Sequence, residues 1–337
     1  MKYLVFNVGS YCVKWKVFDE ELRIVDKGYR EEDFYVGDVL DKYKKEKVII
    51  GHRVVHGGWK YFRPTVLSSE VVSYLEEVSY LAPLHNPCEV KVIKDCKEYM
   101  TEVVNVGFFD TGFFEKLPDR SKIYGINWQV GEKYGLRRFG FHGTSHQYLS
   151  EKGGVESDKS INKINQITIH LGAGCSVTAI EGGKAIDTSF GFTPLEGVMM
   201  AKRSGDIDPG VVFYLINKAG MSIIEVEKLL TEKSGLMGFC GTDDMRVVLK
   251  RLENGDERAR LAVDVFCYRV RKYIGSYWAV LNGKVDQIIF SGGIGFGSEV
   301  IRQKILDGLL KSLKKTQILV METDEETVIG KCLKEFK

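Results

Sequence analysis

The chain has 337 residues, of which 44% are hydrophobic and 28% charged, and its formal net charge is +2. This length predicts two domains, and the near-neutral charge argues against nucleic acid or an anionic membrane as a partner. No apolar run is long enough to cross a bilayer, and the N-terminus does not read as a signal peptide. The seven cysteines form no C-x-x-C pair, so we expect free thiols, a cytoplasmic location and no zinc site.

The first third of the chain predicts a hairpin followed by alternating strands and helices. Residues 2–8 are mostly apolar, and residues 12–19 alternate with the period of a half-buried strand. Further strands are predicted at 22–29, 47–55 and 103–109, and helices at about 68–80 and 87–99.

The order strand, glycine turn, strand occurs a second time at 166–190. Hairpin strands are predicted there at 175–181 and 184–189. Because this repeats the architecture of residues 2–19, we predict two related α/β halves that face each other across a cleft. The remaining predictions are helices at 209–219, 222–233, 243–253, 256–281, about 298–313 and from 324, and strands at 285–290 and 316–321.

All six histidines fall in short segments that we predict to be loops rich in glycine or proline: His52, His56, His85, His142, His146 and His170. Glycine and proline fix unusual backbone paths. The pattern therefore predicts one polar site built from several distant loops.

Three glycine-containing turns are candidates for phosphate binding, namely Asn7–Ser10, His170–Ser176 and Ser291–Gly295. Small residues expose backbone N–H groups, although turn chemistry alone explains such residues equally well. We expect the third turn to follow a strand and precede a helix. No dinucleotide-binding or P-loop pattern is present.

Several charged residues stand where solvation alone does not explain them. Arg53 and Arg203 lie in glycine-rich segments, and each offers a planar fork for carboxylate or phosphate oxygens. Asp110 ends an apolar strand, so it is either functional or a helix cap. Thr144 and Ser145 would cap a helix beside His142 and His146, and the acids at 324–326 suit either a helix start or Mg²⁺.

Taken together, these segments resemble the acetate and propionate kinase family, within the superfamily of acetate and sugar kinases, Hsp70 and actin. The resemblance spans nearly the whole chain and rests on Asn7–Ser10, 51–58, 82–87, 109–111, 138–146, 170–176, 187–209, 234–238 and 292–295. It implies an α/β fold with two RNase H-like domains and an interdomain nucleotide cleft. Residues 1–112 with about 323–337 would form one domain, and about 113–322 the other.

The implied reaction is ATP + acetate ⇌ ADP + acetyl phosphate by direct in-line transfer, with Mg²⁺ or Mn²⁺ as the metal, in a homodimer. The implied catalytic residues are Arg53, Asp110, His142 and Arg203, and the implied pocket for the methyl group consists of Val55, Leu84, Phe141 and Pro194. The implied nucleotide and phosphate contacts are Asn7, Ser10, Lys14, His170, Leu171, Gly172, Gly174, Asp244, Met245, Arg246, Gly293, Ile294 and Gly295. Asn7 and Glu325 would support the metal, with Glu326 as the alternative to Glu325.

The chain departs from the family pattern at four positions, Cys12, Ala173, Phe296 and Gly297, and all of them touch the nucleotide side. The phosphoryl donor is therefore the open question, and another nucleoside triphosphate or pyrophosphate is an alternative to ATP. Propionate or butyrate is the alternative acid, since one methylene changes discrimination by only about 1–3 kcal/mol. A non-catalytic nucleotide-binding protein is the remaining alternative.

Overall fold

The computed structural model describes residues 1–9, 12–31, 34–309 and 315–336. The strands are β1 (Lys2–Val8), β2 (Cys12–Phe18), β3 (Ile24–Glu31), β4 (Val48–Val54), β5 (Thr65–Val66), β6 (Val104–Phe109), β7 (Asn165–Leu171), β8 (Cys175–Glu181), β9 (Lys184–Thr188), β10 (Gln287–Ser291) and β11 (Gln317–Val320). The helices are α1 (Gly37–Leu40), α2 (Ser69–Glu77), α3 (Asn86–Tyr99), α4 (Asp119–Lys122), α5 (Trp128–Tyr134), α6 (Gly143–Val155), α7 (Pro209–Asn217), α8 (Ile223–Glu232), α9 (Gly235–Cys240), α10 (Met245–Glu253), α11 (Glu257–Val280), α12 (Gly292–Gly297), α13 (Glu299–Leu306) and α14 (Glu325–Leu333).

The chain divides into two compact units. The first consists of 1–115, 141–148 and 324–337, and the second of 116–140 and 149–323. These are units of packing, and the domain limits expected from the sequence stay a prediction. As the resemblance implies, the C-terminal helix α14 belongs with the N-terminal strands.

Over the described residues, the strands in the sheet of the first unit follow the order β3-β2-β1-β4-β6-β5. β1, β4 and β6 are parallel neighbours, and β2 and β3 continue the sheet as an antiparallel meander. The carboxyl ends of β4 and β6 therefore reach the same edge of the sheet, where open α/β sheets place their ligands.

Both faces of this sheet are covered because side chains alternate along β1. Leu4, Phe6 and Val8 pack with α1 and α3 on one face, while Tyr3 and Val5 pack with α14 on the other. The close approach of α14 requires glycine at position 51, because a Cβ there would lie 2.7 Å from the side chain of Ile329.

The sheet of the second unit has the described order β11-β10-β7-β8-β9. Read from its other edge, it repeats the first: an antiparallel meander, a central strand and two parallel neighbours. The helix α11 packs against β7 and β8 and buries an apolar face that includes Val263, Phe266 and Val270. The two α/β sheets confirm the fold class predicted from the sequence.

Three local predictions were wrong. The helix expected to reach 313 ends at Leu306, and residues 307–309 form a turn; residues 310–314 lie outside the described part of the chain. The glycine segment after β10 does not merely precede a helix but forms α12 itself. Of the histidines expected in loops, His52 and His170 lie in strands and His146 lies in α6. Over the described residues, the structure has no helix long and apolar enough to cross a membrane.

Candidate active site

Arg53 and Asp110 meet at the edge where β4 and β6 end. Arg53 is the penultimate residue of β4, and Asp110 follows the last residue of β6. The guanidinium donates from Nε to Oδ1 at 3.1 Å and from Nη2 to Oδ2 at 2.5 Å. Asp110 is fully buried and the Arg53 side chain is 11% exposed, so the pair is a bidentate, largely desolvated ion pair.

Hydrogen bonds hold both the backbone and the side chain of Asp110. Its backbone N–H donates to the carbonyl of Val54 at 2.9 Å, and the hydroxyl of Thr144 donates to its Oδ1 at 3.0 Å. Its carbonyl accepts from the N–H of Gly143 at 3.0 Å, and a Cβ at Gly143 would lie 2.1 Å from that oxygen. Thr144 therefore binds Asp110. The sequence had suggested a different role for this residue, as a cap of α6.

His142 stands immediately before α6 in an unusual conformation. Its φ is +58°, in the left-handed region that side chains rarely adopt. Its carbonyl accepts the first helical hydrogen bond, from His146 at 2.9 Å. Strained residues of this kind concentrate at functional sites. Because Gly143 is tied to Asp110, the structure brings His142 to the same corner of the first unit.

Asn7 connects the arginine to two acids at the start of α14. Its Oδ1 accepts from Nη1 of Arg53 at 3.1 Å, and its Nδ2 donates to Glu325 at 2.9 Å and to Glu326 at 2.7 Å. Nε of Arg53 also lies 3.4 Å from Glu325. Nζ of Lys16 lies 3.6 Å from Glu326 and 2.6 Å from the neighbouring Asp324, and it offsets part of the negative charge.

The electrostatics of this cluster favour a charged arginine. Burial opposes the charge on Arg53, but attraction by Asp110 and Glu325 outweighs burial and raises its pKa. Burial raises the pKa of Glu325, and Arg53 opposes that rise. Arg53 is therefore a permanent cation.

Two of the predicted pocket residues in the first unit are linked through His56. Val55 and Phe141 are buried, and the ring of Phe141 packs edge-on against His56 at a centroid distance of 5.4 Å. Leu84 is half-buried in the segment before α3. That segment leads to Asn86, whose amide group binds the backbone of His56 on both sides, at 3.1 and 2.8 Å.

Glu89 lies in the first turn of α3 and was not predicted as a site residue. It is 1% exposed, and its Oε2 accepts from the backbone N–H of Val55 at 2.9 Å. A glutamate three residues after Asn86 looks like an ordinary charge at a helix start. Only the packing of α3 against β4 reveals that it is buried.

Arg203 and Pro194 lie together in the second unit. The Arg203 guanidinium donates to the carbonyl of Pro194 at 3.0 Å and approaches the sulfur of Met200 at 3.8 Å. Within the described residues it forms no ion pair with a carboxylate. Burial lowers the pKa of Arg203. A partly buried guanidinium without a counterion is suited to bind an anion.

The loop that carries Arg203 is held by residues that the sequence analysis did not assign. Arg138 pairs with Glu196 and donates to the carbonyls of Thr188 and Phe190 at 2.9 and 2.7 Å. Tyr124 donates to Glu196 at 2.5 Å. Arginine and tyrosine at these positions look like surface residues in the sequence, and nothing in their spacing reveals the contact.

The two predicted nucleotide turns of the second unit come together. His170 and Leu171 end β7, and the turn after them closes through a hydrogen bond of 2.9 Å from Gly172 to Gly174. Gly292 has a φ of +77°, and a Cβ there would lie 2.5 Å from the carbonyl of Leu171. This close contact lays Gly293, Ile294 and Gly295 of α12 beside the end of β7.

The remaining predicted contacts are more scattered. Asp244 caps α10, and its carboxylate accepts from the exposed guanidinium of Arg246 at 2.7 Å. Met245 is buried and belongs to the core. Lys14 is exposed on β2, directly opposite Asn7. Ser10 lies outside the described residues.

The donor set at the start of α14 suits a hard cation only in part. Glu325 and Glu326 offer carboxylate oxygens, which Mg²⁺ prefers. However, the oxygen of Asn7 faces Arg53. Over the described residues, no three His, Cys, Asp or Glu side chains are arranged to hold a metal. The set therefore fits a cation that takes most of its ligands from water and phosphate.

Comparison with known proteins places these groups in a family. The model of the acetokinase family matches residues 34–331. The acetate kinase of Halothermothrix orenii is 38% identical, with 98% of each chain covered. Crystal structures of Porphyromonas gingivalis acetate kinase (32% identity, full coverage of both chains) and a Francisella tularensis propionate kinase (33% identity, 98% of each chain) both superpose with a TM-score of 0.87. The chain belongs to the acetokinase family and is a phosphotransferase with a carboxyl group as acceptor.

Proposed function

We propose that this chain catalyses ATP + acetate ⇌ ADP + acetyl phosphate. The observation that carries the proposal is the Arg53–Asp110 pair, a rigid cation at the ligand-binding edge of an α/β sheet. A small carboxylate is the acceptor that such a planar fork recognises best.

The chemistry asks for charge compensation rather than for a strong base. A carboxylate oxygen of acetate attacks the γ-phosphorus in line, and the bond from that phosphorus to the bridging oxygen of ADP breaks. No proton is transferred in this step. The main obstacle is the approach of one anion to another, so catalysis relies on positioning and on fixed positive charge.

Each residue has a role that its surroundings support. Arg53 binds the acetate carboxylate and Asp110 orients Arg53. Arg203, whose guanidinium has no carboxylate partner among the described residues, binds the transferring phosphoryl group. His142 donates to the phosphoryl oxygens, and its strained backbone supports a functional role.

The substrate pocket and the nucleotide contacts follow the same assignment. Val55, Leu84, Phe141 and Pro194 surround the methyl group. The nucleotide phosphates lie against the 170–174 turn and Asn7, with Ser10 and Lys14 nearby, while Gly293–Gly295 and Asp244–Arg246 hold the adenosine. Bound Mg²⁺ would neutralise phosphate charge, supported by Glu325 and Asn7, or by Glu326.

Propionate is the second candidate acid. One observation favours it specifically: the propionate kinase from Francisella tularensis is as similar to this chain as the acetate kinase from Porphyromonas gingivalis. One extra methylene costs only about 1–3 kcal/mol in a pocket of this kind.

The deciding experiment is an assay of acyl phosphate, trapped as the hydroxamate. Acetate, propionate and butyrate are each combined with ATP, GTP and pyrophosphate as donors. We expect the highest kcat/KM with acetate and ATP. Formation of no acyl phosphate with any pair would refute the proposal, and a preference for pyrophosphate would refute the choice of donor.

We also propose a homodimer that works in the cytoplasm. The helix α7 has no buried residue, and Phe213 and Tyr214 on it are 62% and 64% exposed. Ile223 and Ile224 of the neighbouring α8 are 71% and 75% exposed. Such apolar exposure is typical of a surface that a second copy covers. Sedimentation of the wild type and of Phe213→Asp would test the dimer, and a monomeric wild type would contradict it.

A further inference from the structure

Glu89 is a buried carboxyl group that the roles above do not use. It lies in the first turn of α3 and is 1% exposed. Its Oε2 accepts from the N–H of Val55, two residues after Arg53. Asn86 holds the next residue, His56, from the same turn. The start of α3 therefore holds the backbone that follows β4 through hydrogen bonds to Val55 and His56.

The other carboxyl oxygen of Glu89 has no partner. Oε1 is buried and makes no hydrogen bond with any described residue. A buried carboxylate normally has its oxygens satisfied by donors or by a cation. An oxygen without a donor is more compatible with a neutral carboxylic acid than with an anion.

The charges around Glu89 come from several elements. Arg53 on β4 attracts a negative charge on Glu89, and Asp110 after β6 repels it. His85 directly precedes the first turn of α3, and the backbone N–H of His56 donates to Asn86 in it. The helix α2, which also packs on α3, directs Glu76 to Lys94 at 2.5 Å. β1, which α3 also contacts, carries Lys2 at its start, 4.0 Å from Glu46.

We propose that Glu89 is a positioning residue of the phosphoryl-transfer site: as a neutral acid it fixes Val55 beside Arg53, and its ionisation opposes the binding of anionic substrates. This inference rests on the proposed function. An ionised Glu89 would give Arg53 a third carboxylate neighbour, besides Asp110 and Glu325. Arg53 would then attract a substrate carboxylate less strongly.

The acidity of Glu89 agrees with this role. Burial raises its pKa to about 8, against the opposing effects of Arg53 and the Val55 N–H. The group is thus neutral at pH 7, and about nine-tenths of it is ionised at pH 9. Activity supported by the neutral form is present below pH 8 and is lost as the pH rises above it.

The kinetic test compares Glu89→Gln with the wild type. Glutamine keeps an acceptor for the Val55 N–H and cannot ionise. We expect kcat/KM for acetate in the wild type to fall by up to about tenfold from pH 7 to pH 9. In E89Q the ratio of kcat/KM at pH 7 to kcat/KM at pH 9 should be at least about threefold smaller than in the wild type. The exposed Glu98 on the same helix provides the control, and E98Q should keep the wild-type ratio.

A second measurement needs no substrate. The unfolded chain loses the Glu89 proton near the ordinary pKa of 4.5, whereas the folded protein holds it up to about pH 8. The free energy of unfolding therefore falls as the pH rises between these two values. In E89Q this fall should be shallower by about one proton, as measured by urea unfolding.

The outcomes separate the two proposals. Equal pH slopes of stability in E89Q and the wild type would overturn the neutral state of Glu89. Equal kinetic ratios with different stability slopes would overturn its influence on the site. If the wild type forms no acyl phosphate, the proposed function fails and this role fails with it, while the stability slopes still report the protonation of Glu89.

Discussion

Arg53 is bound by Asp110 through two hydrogen bonds, and Asp110 is completely buried. Each residue therefore compensates the charge of the other inside the protein. Truncating the arginine would leave a carboxylate with no cation and almost no water. The sequence alone treats Arg53 and Arg203 as equivalent candidates, but the structure separates them.

We predict that Arg53→Ala lowers both stability and activity. Removing one partner of a buried ion pair costs about 3–5 kcal/mol in the free energy of unfolding. Urea unfolding measures that loss. The double variant Arg53→Ala/Asp110→Asn should recover part of the stability because no uncompensated charge remains. A stability of Arg53→Ala equal to that of the wild type would contradict this account of the pair.

Arg203→Ala should behave differently. Its guanidinium has no carboxylate partner among the described residues. Its neutral hydrogen bond to the carbonyl of Pro194 contributes only about 1 kcal/mol, and its contact with the sulfur of Met200, at 3.8 Å, is weaker. We therefore expect stability within about 1 kcal/mol of the wild type, while kcat falls by about 10²–10³, as for loss of a donor to a developing charge. The hydroxamate assay and urea unfolding on the same preparation test both parts. Near wild-type turnover would remove Arg203 from the mechanism.

Periodicity was sufficient to predict the hairpin strands of both sheets, whereas the short strand β5 was not predicted. The hairpin of β1 and β2 and the hairpin of β8 and β9 fall within one or two residues of the predicted strands, because alternation and glycine turns are local signals. The short helices α5, α9 and α12 were missed because they are brief and lack clear amphipathic spacing. Tertiary packing, rather than local propensity, determines such segments.

The site was predictable only where its residues stand in conspicuous motifs. Arg53, Asp110 and His142 could be singled out, but their mutual arrangement depends on the parallel pairing of β4 with β6. Glu89 carries no such signal, and although Arg138 begins the matching segment 138–146, nothing in that segment indicates its pairing with Glu196. Their importance arises from burial, and burial of a charged side chain is a property of the folded chain rather than of its spacing in sequence.

The ion pair of Arg138 and Glu196 should position the loop that carries Arg203. Arg138 also donates to three backbone carbonyls of the preceding segment, so Arg138→Ala removes several constraints at once. We expect kcat/KM to fall by about tenfold or more through a misplaced loop. Tyr124→Phe removes the hydroxyl that donates to Glu196 and accepts from the N–H of Phe192. It leaves the Arg138–Glu196 ion pair in place, so it is the milder variant and should show a smaller loss. Identical kinetics for Arg138→Ala and the wild type would exclude a positioning role.

His52 should make the first unit sensitive to acid. Its ring is 2% exposed and its Nε2 lies 2.7 Å from Oδ1 of Asn105. Burial lowers the pKa of His52 to about 4, with a smaller contribution from Lys97.

The unfolded chain takes up this proton near pH 6.5 and the folded protein does not. The free energy of unfolding should therefore fall as pH drops from about 6.5 to about 4, by at most about 3 kcal/mol. His52→Gln, which can still donate to Asn105, should show a shallower decline than the wild type in urea unfolding across this range. Parallel curves for the two proteins would mean that His52 takes up its proton at the same pH in the folded and unfolded states, and that its burial does not control acid stability.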